Sequence, residues 1–254
     1  MARSEPKLNR FLKMRPTATT SRPWASAALH TMQLSIIVPL FNEAAAATEL
    51  CAHLAAWTRQ GVDVILVDGG SDDGTAALLE GCGFRLVHSP RGRAVQMNAG
   101  AAAASGDVLL FLHADTRLPP KALESLEHLD WHAQAWGRFD VHIAGRPRML
   151  KLVALLMNWR SRLTGIATGD QAIFMTRAAF DAAGGFPQQP LMEDVEMSRR
   201  LRQRARPICL TERVVTSGRR WEQRGTWRTI FLMWRLRWAY WRGVPASQLA
   251  KAYR

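Results

Sequence analysis

The sequence predicts an α/β fold: a mostly parallel sheet with helices on both faces. Three observations predict it. From residue 33 onward, short continuous apolar runs alternate with helical stretches, and such runs read as strands buried on both faces, as in parallel sheets. Each run ends at a cluster of polar residues, and in open α/β sheets ligands gather beyond the carboxyl ends of the strands. The chain has 254 residues, 48% of them hydrophobic, enough for one large domain with a sizeable core.

In order, residues 33–38 (QLSIIV) form the first strand, ending at Pro39, and 44–60 the first helix. Residues 62–67 (VDVILV) form a second strand ending at Asp68, and a short helix follows from Asp73 to Glu80. A third strand spans 84–87, an Ala-rich helix 92–105, and a fourth strand 107–112 (DVLLFL) ends at His113. Polar residues follow all four: Asn42 and Glu43, Asp68 to Asp73, Arg91 and Arg93, His113 and Asp115. Any one cluster is ordinary loop chemistry; four in succession point to a charged ligand. Beyond them the pattern over 136–148 is ambiguous. Residues 149–163 read as a helix, 171–175 as a strand and 193–204 as a helix, and 226–253 as two helices broken near Gly243 and Pro245.

The net charge of +13 is unevenly spread. Residues 1–31 carry six basic and one acidic side chain, 32–198 thirteen and eighteen, and 199–254 fifteen and two. The centre is acidic and both ends are basic, which suits anions such as lipid headgroups or a pyrophosphate. Three scattered cysteines, Cys51, Cys82 and Cys209, have no CxxC or zinc-ligand spacing. They predict no disulfide framework and a reducing compartment. There is no apolar run of the roughly 18 residues that a spanning helix needs, and the basic start lacks the apolar stretch of a secretory signal. Residues 1–31 are expected to be a disordered basic extension, with translation from Met32 as an alternative. A domain over 32–225 and a basic, Trp-rich helical tail over 226–254 follow.

Five ordered motifs carry a family resemblance: PLFNE at 39–43, VDGGSDDGT at 67–75, RGRAVQMNAGAAAASGDVLLFLHADT at 91–116, GDQAIFM at 169–175 and MEDVEMSRRL at 192–201. In order and spacing they resemble family 2 glycosyltransferases over roughly residues 33–221. The resemblance implies a GT-A fold and inverting transfer from a nucleotide-sugar donor, UDP-sugar favoured, to a hydroxyl acceptor. Within the family the HADT motif resembles a bacterial subgroup associated with arsenosugar or similar modified-metabolite synthesis, sometimes grouped with carotenoid glycosyltransferases.

The resemblance assigns roles, and each has a plainer structural reading. Asp68 is implied as the acceptor for the imide N–H of uracil, or else as a turn aspartate. Pro39, Asn42 and Glu43 would line the nucleoside pocket, with Asn42 also able to cap the next helix. Arg91 and Arg93 open a helix on a Gly-hinged loop, an arrangement suited to an anion or to a solvated pair. Asn98 and Gly100 stand where the family packs small or polar residues near the nucleotide. Asp115 is the metal candidate, and Mn²⁺ or Mg²⁺ the expected cofactor, because hard oxygen ligands suit an ion that bridges a diphosphate. His113 replaces the usual first aspartate of an Asp-x-Asp motif. It is a ligand that favours Mn²⁺, or a neighbour of the site. Glu193 and Asp194 match the family's Glu-Asp pair, with Asp194 as general base; as helix-start acids they also complement the macrodipole. Gly169, Asp170 and Gln171 are assigned to donor-sugar or acceptor contact, and Arg219 and Arg220 to the departing pyrophosphate.

At 100° per residue, Trp227, Ile230, Phe231, Trp234, Trp238 and Trp241 share one helical face, flanked by Arg228, Arg235, Arg237 and Arg242. Leu232, Met233, Leu236 and Tyr240 lie opposite and would pack on the domain. A tryptophan face bordered by arginines suits a bilayer interface, so a peripheral position at the cytoplasmic face of the cell membrane is expected. Dimer or core packing of both faces is the alternative.

Three other functions conflict with the sequence. A sugar nucleotidyltransferase would open with a Gly-rich phosphate loop after the first strand, where this chain has PLFNE. A nucleic-acid-binding module conflicts with the acidic centre and the lack of a binding motif, so no nucleic-acid partner is expected. A non-catalytic nucleotide-sugar-binding relative conflicts with the intact Asp68, Asp115 and Asp194.

Overall fold

Strand β1 (Leu34–Leu40) takes a central place because almost all of its side chains are buried, which requires cover on both faces. The computed structural model describes residues 32–253; the expectations for residues 1–31 lie outside the described residues. After β1 come α1 (Ala44–Thr58), β2 (Asp63–Asp68), α2 (Thr75–Glu80), β3 (Arg85–His88), α3 (Arg93–Ala103) and β4 (Val108–Phe111). Then follow β5 (Thr116–Arg117), α4 (Ala122–Glu127), β6 (Trp136–Ala144), α5 (Met149–Thr164), a 3₁₀ turn (Gly169–Gln171) and β7 (Phe174–Thr176). The chain continues through α6 (Arg177–Ala182), α7 (Glu193–Arg202), β8 (Ile208–Ser217), α8 (Arg219–Arg224), α9 (Thr226–Trp241) and α10 (Ala246–Tyr253).

The strands form one sheet in the order β3-β2-β1-β4-β7-β6-β8-β5. The first four are parallel to one another, β7 runs antiparallel to both neighbours, and β6 and β8 pair in parallel. Alternation sorts the core into two layers. Leu34, Ile36, Val38, Val64, Leu66, Val108 and Leu110 face one side with α1 and α5, while Ile37, Ile65, Val67, Leu109 and Phe111 face the other with α3 and α7. Helix α3 lies close on the sheet: a Cβ on Gly100 would come 2.4 Å from Cγ2 of Ile37.

Pro39 lies inside β1 rather than ending it. Pairing with β4 stops at Ile37, while pairing with β2 runs on through Leu40, so one flank of Pro39 needs no ladder donor. The ambiguous stretch after 135 is β6, in which Arg138 is fully buried and bound to the Asp140 carboxylate. Arg162 from α5 completes the group with 2.8 and 2.9 Å bonds to Asp140. The cysteine expectation is corrected: Cys51 of α1 and Cys82 just after α2 form a disulfide, with their Cα atoms 6.1 Å apart. Packing of α1 against α2 brings together residues 31 positions apart, which spacing alone could not show. Cysteine usage therefore gives no support to a reducing compartment.

The tail helices belong to the same compact unit as the sheet. Leu236 of α9 and Leu249 of α10 are buried with Met192, and Leu232, Met233 and Tyr240 pack around them. The opposite face of α9 is bare: Trp227, Phe231, Trp234, Trp238 and Trp241 are all exposed. Among the described residues no helix is long and apolar enough to cross a membrane.

Candidate active site

A cleft of about 440 Å³ opens beyond the carboxyl ends of β1 and β4. Pro39 and Glu43 come to it from β1, Arg93 from the start of α3, and His113 and Asp115 from the end of β4. Asp170 comes from the 3₁₀ turn, Glu193 and Asp194 from the first turn of α7, and Arg219 and Arg220 from the first turn of α8. Six separate segments thus converge, as the ends of neighbouring strands in an α/β sheet allow. A second hollow of about 480 Å³ beside α5, lined by Asp140, Lys151, Trp159 and Arg213, contains none of the predicted site residues.

Asp194 is held on both oxygens. Gly169 N–H donates to Oδ2 at 2.8 Å, and Val195 N–H donates to Oδ1 at 2.7 Å. Its neighbour Glu193 is buried, with Arg93 at 3.5 Å. Burial first, and the adjacent Asp194 charge second, push the Glu193 carboxyl above its usual range. His113 Nδ1 lies 3.2 Å from Asp170 Oδ1. Burial works against the Asp170 charge, but the His113 bond and charge and the Arg93 and Arg220 guanidinium groups outweigh it, and the carboxyl is pushed down to about 2. Burial and the like charge of Arg93 lower Arg220, so two guanidinium groups share the space beside Asp170. Burial raises Glu43, as do the Asp115 and Asp73 charges, against the opposing Arg219, whose Nη2 is 3.9 Å from Oε2.

Strain marks the same region. Among the described residues three non-glycines adopt a left-handed backbone: Asn42 (φ 54°), Ala172 (φ 46°) and Met192 (φ 64°). Asn42 and Met192 immediately precede Glu43 and Glu193, and Ala172 directly follows the 3₁₀ turn of Asp170. Such conformations persist only where surroundings over-determine them, and they gather at sites.

Several predicted residues stand elsewhere. Asp68 is buried behind its own loop and does not line the cleft: Gly70 N–H, Ser71 N–H and Ser71 Oγ donate to it. The amide of Asn42 is exchanged with Asp72, at 2.8 and 3.1 Å, and does not cap α1. Asp73 serves both helix starts instead, accepting from Ala44 N–H and Thr75 N–H at 3.0 Å each. Arg91 is exposed, with its guanidinium 4.0 Å from the centre of the Phe41 ring. Asn98 is committed to the Phe186 backbone, donating to its carbonyl and accepting from its N–H, both at 2.9 Å. Gln171 has no exposed surface and binds Ser161 and Thr168, so it shapes the turn. Gly169 is a close-packing site: a Cβ there would meet His113 Nε2 at 2.2 Å.

Sequence reasoning passed over two contributors. Gln96 is buried in α3, and its Nε2 donates to Leu40 O and Val67 O, tying the ends of β1 and β2 together. A buried amide in an Ala-rich helix was its signal. Arg237 of α9 lines the cleft, although its sequence context reads as a surface arginine.

The donor set suits a divalent ion shared with a ligand. Among the described residues no group of three His, Cys, Asp or Glu side chains is placed to hold a metal alone. Asp115 faces the cleft, and among the described residues the one donor to its carboxylate is the neighbouring Thr116 Oγ1, at 3.4 Å. One or two carboxylates completed by phosphate oxygens and water is how Mg²⁺ and Mn²⁺ are commonly held on nucleotides. His113 is turned to Asp170 and packed over Gly169, whereas the Asp115 carboxylate faces the cleft.

The Glycosyl transferase family 2 model matches residues 35–180. A curated relative from Pseudomonas fluorescens, an undecaprenyl-phosphate 4-deoxy-4-formamido-L-arabinose transferase, is 29% identical over 145 residues, 53% of this chain and 41% of its own length. An uncharacterised glycosyltransferase of Mycobacterium tuberculosis is 34% identical over 114 residues, 41% of this chain and 44% of its own length. The matched stretch thus spans less than half of either relative. Among solved structures, a Pyrobaculum calidifontis mannosyltransferase in complex with GDP-Man and Mn²⁺ has a TM-score of 0.60 at 21% identity, covering 83% of this chain and 62% of that one. S. aureus TarS with UDP-GlcNAc has a TM-score of 0.57 at 20% identity, covering 73% and 58%. At such identity these structures show the fold, GT-A.

Proposed function

Because the chain belongs to glycosyl transferase family 2, we propose that it moves a sugar from a nucleotide-diphosphate donor, UDP favoured, to an acceptor hydroxyl with inversion. The observation that carries this reading is the placing of Asp115 and Asp194 in one cleft, together with Arg93, Arg219 and Arg220.

Asp194 takes the proton of the acceptor hydroxyl as its oxygen attacks the anomeric carbon. A C–O bond to the acceptor forms while the C–O bond to the diphosphate breaks, and the diphosphate leaves with the electron pair. Arg93, Arg219 and Arg220 stabilise the charge that develops on it. Asp115 would hold the Mn²⁺ or Mg²⁺, which supplies further neutralisation at the diphosphate. Asp68, at the end of β2, would reach a nucleobase only if the Gly70–Ser71 loop that covers it moves aside, since its carboxylate is buried and accepts three bonds from that loop. Pro39 and Glu43 lie toward the nucleoside, and Arg91 at its edge.

For the acceptor, a lipid-like molecule is favoured. The support is the name of the Pseudomonas relatives, which act on undecaprenyl phosphate, and the exposed tryptophan face of α9. The reading includes peripheral attachment at the inner face of the membrane. The HADT subgroup and its modified metabolites rest on motif likeness alone.

Thermal-shift titration of the full chain with UDP-, GDP- and dTDP-sugars, with and without Mn²⁺, tests this. The expected result is stabilisation by a UDP-sugar that grows with Mn²⁺. No response to any nucleotide sugar would overturn the reading.

A further inference from the structure

We propose that the groove between α9 and the end of α10 is a seat for the phosphate headgroup of an anionic phospholipid in a bilayer. The seat goes beyond the transfer reading: it depends on α9 meeting a membrane, not on the chemistry in the cleft.

The groove is a hollow of about 640 Å³ lined by three arginines, Arg224, Arg228 and Arg235, and by Phe231 and Leu232. Tyr253 of α10 lines it as well. Residues 228, 231, 232 and 235 are spaced i, i+3, i+4 and i+7, so one stripe of α9 supplies them. Arg224 belongs to the wall, donating from Nη1 to the Tyr253 carbonyl at 2.9 Å. Arg228 and Arg235 differ from it. Both are exposed, and among the described residues neither guanidinium has a hydrogen bond or ion pair.

Nothing acidic competes for them. The lining contains no Asp or Glu, and the sequence has none after Glu222. Glu222 itself already accepts from Arg146 N–H at 2.7 Å. Two guanidinium groups beside an arginine wall suit a phosphate, whose oxygens can accept from both.

The neighbouring stripe of α9 selects a bilayer as the source of that phosphate. Trp227, Trp234, Trp238 and Trp241 are each at least 61% exposed, and Phe231, 62% exposed, belongs both to this aromatic face and to the groove. At about 100° per residue the two arginines fall about 20° apart, beside Phe231. Aromatic rings settle at the headgroup level of a bilayer, and arginines next to them reach the phosphates. The groove also adjoins the cleft, since Arg224, Thr229 and Tyr253 line both. The Arg220 guanidinium rests 5.0 Å from the centre of the Tyr253 ring. A headgroup in this seat therefore holds the bilayer surface beside the cleft.

The test sediments the full chain with phosphatidylcholine vesicles, with and without about one part in five phosphatidylglycerol, at low and high salt. Wild type should prefer the anionic vesicles, and the preference should shrink with salt. Arg228→Gln with Arg235→Gln should lose about tenfold or more of the anionic-vesicle affinity, while the melting temperature and UDP binding hold. Arg59→Gln with Arg206→Gln removes the same charge from exposed positions outside the groove, and should lose far less. Equal loss in the two double variants overturns the seat. So does a wild type that does not distinguish the two vesicles; its binding to the neutral ones would then leave the aromatic contact standing alone. Light scattering without vesicles checks a different occupant: a dimer that Arg228→Gln with Arg235→Gln abolishes would assign the groove to a second copy of the chain and overturn the proposal. UDP binding is read separately, so failure of the transfer reading is seen on its own.

Discussion

The backbone N–H of Gly169 holds Oδ2 of Asp194 at 2.8 Å, across 25 residues of chain. The candidate base is thus aimed by the 3₁₀ turn, and the turn is seated by its contact with His113. Changes in this trio should separate binding from chemistry.

Asp194→Asn keeps a carbonyl oxygen to accept one of the two backbone N–H groups but cannot take a proton. Transfer should fall by about 10²–10⁴-fold, the usual contribution of a positioned base, while UDP binding persists. A steady-state assay beside a UDP titration measures both, and normal turnover would remove Asp194 from the role.

Gly169→Ala drives a methyl into the His113 ring, which cannot swing freely because Nδ1 is bonded to Asp170. Overpacking of this kind costs about 1–3 kcal/mol. The double variant Gly169→Ala with His113→Ala should recover the melting temperature but not the activity. Recovery of both would show that the His113–Asp170 pair does nothing for transfer.

Asp115→Ala should weaken UDP binding when Mn²⁺ is present and leave it unchanged in EDTA. Calorimetry in the two buffers distinguishes a metal ligand from a direct nucleotide contact, for which the losses would be equal.

His53 links α1 to the segment after β5, its Nε2 accepting from Trp57 Nε1–H and Leu118 N–H. Burial, then the Arg117 charge, push its pKa down to about 4. The unfolded chain, with an ordinary imidazole near 6.5, binds the proton more readily than the folded one. Stability from this residue is therefore complete above about pH 6.5 and is lost as pH falls toward 4. His53→Gln, which accepts without titrating, should flatten the decline in melting temperature between neutral and mildly acidic buffer. A slope identical to wild type would rule out the His53 contribution.

Trp234→Ser with Trp238→Ser alters only exposed positions on α9. Co-sedimentation with anionic vesicles should drop while the melting temperature and UDP binding hold. Unchanged co-sedimentation would end the membrane reading of this face.

Much of the nucleotide half was legible because β1, β2 and β4 are apolar on both faces and each ends at a polar group. Strands β6 and β8 were not. β6 carries Arg138 and Asp140, which look like loop residues until they pair with each other and Arg162 of α5 binds the same carboxylate, and β8 is mostly half-buried or exposed. At the site, position after a strand places Glu43, His113 and Asp115 on the wall of one cleft. Asn98 and Gln171 show the limit: a polar side chain that satisfies buried backbone has the same sequence appearance as one that awaits a ligand. Arg160 shows the opposite limit, since nothing in a helix of mixed apolar and basic residues marks an arginine whose Nε and Nη2 are buried without a partner among the described residues.

Met192 is where the two halves of the molecule are fastened. It sits one residue ahead of Glu193 in a strained backbone and is clamped beneath Leu236 and Leu249. Whatever tugs or tilts α9 is therefore delivered straight to the start of α7. If the outer face of α9 is held and Asp194 is the base, as proposed, the two are mechanically in series, and cutting off the tail would take a brace from the start of α7 as well as that outer face.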